Sequence, residues 1–164
     1  MNKIIDEKKR RIAFHEAGHA WMMWKEGLGV KSVSMEPHGP ISGNNRGETV
    51  PDLAMEDGPK ELSQKFAKAA LAGSAAEHFL LGKWDEESLQ ASSYDTKKAR
   101  DFMVISGDER GSEALDQDIH ALFNSVMGEI SRPREWHIVM GLAYALLASG
   151  SLTGEQVLEI LAGG

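Results

Sequence analysis

For most of its length this chain repeats its apolar residues at helical spacing. From Lys3 to Lys25 there is one glycine and no proline, and Ile12, His15, His19 and Met22 fall on one face, which predicts a first helix. Gly27 and Gly29 break that pattern. Val30-Lys31-Ser32-Val33-Ser34-Met35-Glu36 then alternates apolar with polar, as a half-buried strand does. Pro37 to Gly58 is rich in turn chemistry, including Gly39-Pro40 and Asn44-Asn45, and reads as a long loop with room for a second short strand at Gly47-Glu48-Thr49-Val50. Pro59 suits the first turn of the next helix, expected to run to about Leu81 and to stop at Gly82. A polar loop is expected from Lys83 to Ser92, then helix from about Ser93 to Ser106, ended by Gly107. Two further helices are predicted, about Ser112 to Ile130 and Pro133 to Ala148, with Gly150 closing the latter. Thr153-Gly154-Glu155-Gln156 has the form of a capping box and opens a last short helix to Leu161. The expected fold is mainly α with a small β-sheet, a single domain over 1–164 without internal repeat, low-complexity tract or linker.

Composition narrows the chemistry. The chain has no cysteine, which excludes a disulfide framework, a thiolate zinc cluster and cysteine-protease catalysis. Net charge is -7, from 18 basic and 25 acidic residues, and argues against a nucleic-acid partner. The one basic cluster, Lys8-Lys9-Arg10-Arg11, reads as a solvated helix start. No apolar run approaches the length of a membrane span, and the N-terminus lacks the apolar core and cleavage site of a signal peptide, so a soluble, cytoplasmic protein with no membrane partner is expected. Trp21, Met22, Met23 and Trp24 read as core that packs against the later helices.

The most specific stretch is His15-Glu16-Ala17-Gly18-His19. Two histidines four apart on a helix stack one turn above each other, so both imidazoles can reach one ion. The glutamate between them can take a proton from a water held by that ion. Catalytic zinc usually takes three protein ligands and keeps a fourth position open. The extended HExxHxxGxxH arrangement fails here, because Met22 and Lys25 stand where it needs glycine and histidine. His38, His78, His120 and His137 stand in no recognisable motif; the acidic candidates on later helices are Glu77, Asp95 and Asp101.

Taken together, these residues resemble the peptidase domain of the FtsH family of ATP-dependent zinc proteases, a helical HExxH zinc-peptidase domain. His15-Glu16-Ala17-Gly18-His19-Ala20 matches that family's signature. Lys31 to Gly39 resembles its strand followed by a Pro-Arg-Gly turn, and Ala72-Gly73-Ser74-Ala75-Ala76-Glu77 with Gly82 its Gly-Gly-Arg-Ala-Ala-Glu helix. Ser93-Tyr94-Asp95 with Ala99 resembles the Ser-Asn-Asp helix start that supplies the family's third ligand. Leu146-Leu147 and the run from Ser151 to Leu161 are similar to its C-terminal end. The likeness covers nearly the whole chain, in order. It departs at Ser74 and His38, where the family has arginines, and at Ala91-Ser92-Ser93-Tyr94-Asp95, where it has Gly-Ala-Ser-Asn-Asp.

The resemblance implies Zn2+ held by His15, His19 and Asp95, with Glu16 as the general base. Asp95 is then expected at a helix start, held by local backbone donors. Glu77, the other candidate for third ligand, is expected to orient a zinc-binding histidine instead. The activity implied is that of a metalloendopeptidase on unfolded or flexible protein, with an extended peptide pairing along the edge of the Val30–Glu36 strand. The family carries membrane helices and an ATPase module. No Gly-x-x-x-x-Gly-Lys-Ser/Thr phosphate loop occurs in this sequence, so an ATPase or adaptor in trans is a possible partner and a homo-oligomer a further expectation. Two other classes of function fit the same residues: a zinc-binding adaptor or regulatory module with little turnover, and a narrow regulatory peptidase that cuts one partner protein.

Overall fold

A computed structural model of the chain describes residues 6–36, 47–52, 60–105 and 111–163. These residues form a mainly helical fold with a small sheet: α1 (Glu7–Lys25), β1 (Ser32–Ser34), β2 (Glu48–Val50), α2 (Lys60–Leu81), α3 (Glu86–Ile105), α4 (Ser112–Ile130), α5 (Pro133–Ser149), β3 (Ser151–Thr153) and α6 (Gly154–Ala162). Among the described residues no helix is long and apolar enough to cross a membrane. The predicted turn at 37–39 with His38, Pro59, and the predicted helix end at 106–107 fall outside the described residues, as do residues 3–5.

Helix α1 is central. Asp6 caps it by accepting the Lys8 amide at 3.1 Å, and twelve of its residues between Arg11 and Met23, all but His19, are buried. It crosses α2 at small residues. A Cβ on Gly18 would lie 2.4 Å from the Ala72 carbonyl oxygen and 2.7 Å from the Ala76 methyl, so only glycine lets these backbones approach so closely. Around that crossing, Phe14, Trp21 and Met22 of α1 pack with Val126 and Ile130 of α4 and Val139, Leu142 and Leu146 of α5. Each large apolar side chain so buried contributes roughly 1.5–3 kcal/mol. The apolar cluster beside the HEAGH stretch is therefore core, as expected, except that Trp24 is partly exposed. A smaller cluster, with Leu71, Ala99, Met103, Leu115 and Ile119, joins α2, α3 and α4.

The sheet is antiparallel with the order β2-β1-β3. Val33 sits opposite Thr49 on one side and Leu152 on the other. Two expectations change here. β1 is enclosed by partners on both sides, so the Val30–Glu36 strand has no edge to offer a peptide; among the described residues the outer edge of β2 has no strand partner. β3 was not expected at all. Three residues carry too little alternation to register as a strand, and pairing with β1 is what extends them. The capping box at Thr153 and Gln156 is formed, with both reciprocal hydrogen bonds present.

Helix α3 begins at Glu86, well inside the predicted polar loop. Asp85 and Ser88 close a reciprocal cap: the Ser88 amide donates to Asp85 Oδ1 at 2.9 Å and the Asp85 amide to Ser88 Oγ at 2.8 Å. Glu86 and Glu87 then place negative charge in the first turn, where the helix dipole favours it. A polar sequence at that point is the chemistry of a helix N-terminus, and Asp95 consequently stands in the middle of α3 and not at its start.

Candidate metal centre

His15 and His19 are one turn apart on α1, with their ring centroids 4.8 Å apart and their planes nearly perpendicular. Each ring is fixed through Nδ1. His19 Nδ1 lies 2.7 Å from the Ala69 carbonyl oxygen, which can only accept, so the proton is on Nδ1 and the Nε2 lone pair is free. His15 Nδ1 lies 3.0 Å from Glu77 Oε2, and an ionised carboxylate sets the same tautomer. Both Nε2 atoms turn toward Asp95 of α3: His15 Nε2 is 3.2 Å from Oδ2 and His19 Nε2 is 3.7 Å from Oδ1. One ligand atom from each of these three residues lies within 4.8 Å of the others, a group that could hold a metal ion.

The geometry suits that use. Two ligand atoms each 2.0–2.1 Å from a tetrahedral zinc are separated by roughly 3.3 Å, close to the spacings above. The space between the rings is kept clear by Gly73. A Cβ built there would lie 2.4 Å from His19 Nε2 and 2.6 Å from His15 Nε2, so any side chain at this position would press on both ligand nitrogens. Two imidazole nitrogens and a carboxylate oxygen are also donors that zinc accepts.

Glu77 stands behind His15 and not among the three converging ligand atoms, in the orienting position expected of it. Asp95 is held otherwise than expected. No local backbone at a helix start fixes it; Ser74 of α2 does, donating its amide at 3.1 Å and its hydroxyl at 2.5 Å to Oδ2. Asp101, His120 and His137 are exposed, and His78 stacks on Trp84 with 4.2 Å between centroids.

Electrostatics follow from burial and charge. Burial alone would push the His15 imidazole down; the carboxylates of Asp95, Glu77 and Glu16 outweigh it and carry it up to about 10. His19 goes the other way, because burial and the charge of His15 together exceed the pull of Asp95. Burial raises Asp95, but the two imidazoles and the Ser74 hydrogen bond hold it below the usual carboxylate range. The carboxylates around His15 therefore hold a proton on its Nε2 near neutral pH, one that a metal ion would have to displace. Arg11, one turn before His15, supplies a further positive charge: it pairs with Asp85, lies 3.3 Å from Glu87 Oε2 and 3.9 Å from Glu77 Oε1.

Glu16 is buried, and Thr49 of β2 donates its hydroxyl to Glu16 Oε2 at 2.6 Å. No protein-family model matches the chain, and no curated protein matches it.

The fold thus brings His15, His19 and Asp95 together, with Glu16 between the two histidines in sequence. Thr49, Arg11 and the positioning role of Ser74 were not anticipated. Arg11 had a local signal, since it lies four residues before His15 on the same helix face. Thr49 and Ser74 had none: each meets its partner across 33 and 21 residues of sequence, respectively.

Proposed function

We propose that this chain is a zinc-dependent metalloendopeptidase, similar in kind to the peptidase domain of the FtsH family, acting on unfolded or flexible protein. The observation that carries this reading is the convergence of His15 Nε2, His19 Nε2 and the Asp95 carboxylate from two helices, with the buried Glu16 carboxylate next to them in sequence. His15, His19 and Asp95 would hold Zn2+, which would supply Lewis-acid chemistry at this site and lower the pKa of a water there toward neutral.

The protein's residues do the rest. Glu77 and the Ala69 carbonyl keep both imidazoles in the tautomer that presents Nε2. Glu16 accepts the proton of the attacking water and delivers it to the leaving amine. Thr49 fixes one oxygen of that carboxylate and leaves the other to exchange the proton. Burying a carboxylate has an effective penalty of several kcal/mol, which a module kept only to bind metal has no reason to carry. An extended peptide is placed by backbone hydrogen bonds along the outer edge of β2, the strand that also carries Thr49. Such pairing reads little sequence and requires an unfolded segment, so peptides, disordered tails and unfolded chains are the substrates, with an ATPase or adaptor in trans for folded ones.

The test is hydrolysis of fluorescently labelled casein by the zinc-loaded protein. Cleavage that stops with a chelator and returns with added Zn2+ is expected. Absence of cleavage by protein carrying one zinc per chain would favour a module with little turnover.

A further inference from the structure

Helix α2 supplies no member of the metal-ligand group, yet one of its faces touches all three. The Ala69 carbonyl oxygen accepts a hydrogen bond from His19 Nδ1, the Glu77 carboxylate accepts one from His15 Nδ1, and Ser74 donates twice to Asp95. These positions, with Gly73 between them, follow one another along successive turns of α2. α2 packs on α1 along one side and on α3 along another, so Asp95 of α3 meets the histidines of α1 beside the helix that separates their two elements.

Ser74 is the unusual member of this face. It is 2% exposed in the middle of a long helix, where alanine is the better helix former and a hydroxyl ordinarily turns back to its own backbone. Here the hydroxyl leaves its helix and donates to a buried carboxylate at 2.5 Å, with the amide of the same residue at 3.1 Å on the same oxygen. Hydrogen bonds to an ionised acceptor are about twice as strong as neutral ones. Two of them from one rigid residue select a single rotamer of Asp95.

We infer that Ser74 is the positioning residue of the third metal ligand: it fixes the Asp95 carboxylate against α2 in advance of the ion and thereby sets the affinity of the site. This rests on the metal site proposed above. In a site whose histidines are already fixed through Nδ1, Asp95 is the ligand whose orientation is decided by a side-chain hydroxyl, and removal of that hydroxyl leaves the ion to order the carboxylate itself. Partners of this kind are typically worth ~10–100-fold in metal affinity.

The experiment is a zinc titration of the full chain in competition with a chromogenic chelator, on wild type, Ser74→Ala, Asp95→Ala and the double variant, with thermal melts of the metal-free proteins beside it. Alanine is smaller than serine and favours helix, so the metal-free fold is retained. Ser74→Ala is expected to weaken zinc binding ~10–100-fold, and to have no further effect once Asp95 is alanine. Wild-type affinity in Ser74→Ala overturns the inference and leaves the metal site standing. So does an equal loss with and without Asp95, which makes the role of Ser74 merely structural. A wild type that binds no zinc removes the metal site and the inference together.

Discussion

Replacing Gly73 with alanine puts a methyl group against the two imidazole nitrogens proposed to hold the ion. Its Cβ would start 2.4 Å from His19 Nε2 and 2.6 Å from His15 Nε2, and real Cβ contacts essentially never fall under 3.0 Å. The rings must therefore retreat by at least 3.0 − 2.4 and 3.0 − 2.6 Å, about half an ångström each. A metal site tolerates deviations of roughly 0.2 Å in its bond lengths, so displacements of this size break it. The loss of both imidazoles as simultaneous ligands should cost at least about a thousandfold in zinc affinity, roughly 4 kcal/mol. The fold has a compensating gain, since alanine is better than glycine in a helix interior by about 1 kcal/mol. Metal-free Gly73→Ala should consequently melt within a few degrees of the wild type. Thermal melts with and without excess Zn2+ read both quantities, because a ligand of the native state raises its melting temperature by mass action. The wild type should rise with zinc and the variant should not. An equal zinc-induced rise in both would place the ion elsewhere and refute the assignment of His15 and His19 to one centre.

Other consequences can be measured separately. Thr49→Val keeps the shape of the side chain but removes the hydroxyl from Glu16; casein turnover should fall about tenfold, from the loss of one hydrogen bond to a charged group, with zinc affinity unchanged, and an unaltered kcat would show that Glu16 needs no such support. Arg11→Met removes the buried cation beside Glu77 and should destabilise the fold by about 3 kcal/mol, seen as a lower urea midpoint; a midpoint equal to the wild type would contradict it. The cluster of Lys68 with Glu26 and Glu129 makes stability depend on pH. Burial raises the Glu129 carboxyl, but hydrogen bonds from Lys68 and Lys25 outweigh it and hold the group below its ordinary 4.5, so its contribution is full above that value and disappears as pH falls through the lowered one. Burial lowers Lys68 but Glu26 and Glu129 outweigh it and raise it above 10.5, so its part is full below that value and disappears as pH rises through the raised one. Glu129→Gln should cost about 1 kcal/mol near pH 7, solvent screening included, and progressively less under acid; a cost that persists in full at pH 3 would exclude the ion pair as its source.

Much of this site was legible in the sequence because its central part is local. His15, Glu16 and His19 lie within two turns of one helix, and helical periodicity alone puts both imidazoles on one face. The helix boundaries of α4, α5 and α6 were legible for a similar reason, since Pro133, Gly150 and the Thr153–Gln156 box act on their own neighbours. What could not be read was what depends on distant pairing. β3 exists because β1 lies beside it. Among the described residues the edge strands are β2 and β3 because β1 is enclosed, a matter of topology that alternation cannot encode. The resemblance points to Asp95 and the structure sets it beside His15 and His19, but its support differs from the expectation: the polar run from Lys83 to Ser92 looks like loop in sequence, whereas Asp85, Glu86 and Ser88 start a helix there. Once α3 begins at Glu86, Asp95 has no orphan amides of its own helix to bind, and its donors come from Ser74 on α2.

Glu16→Gln separates catalysis from metal binding more sharply than any other change. The variant keeps the size of the side chain and leaves His15, His19 and Asp95 untouched, but its amide cannot accept the proton of the attacking water. Zinc content and casein hydrolysis measured on the same preparations of wild type and variant should show one zinc per chain in both and hydrolysis in the wild type alone. Equal hydrolysis by the two proteins would contradict a peptidase that works through this glutamate.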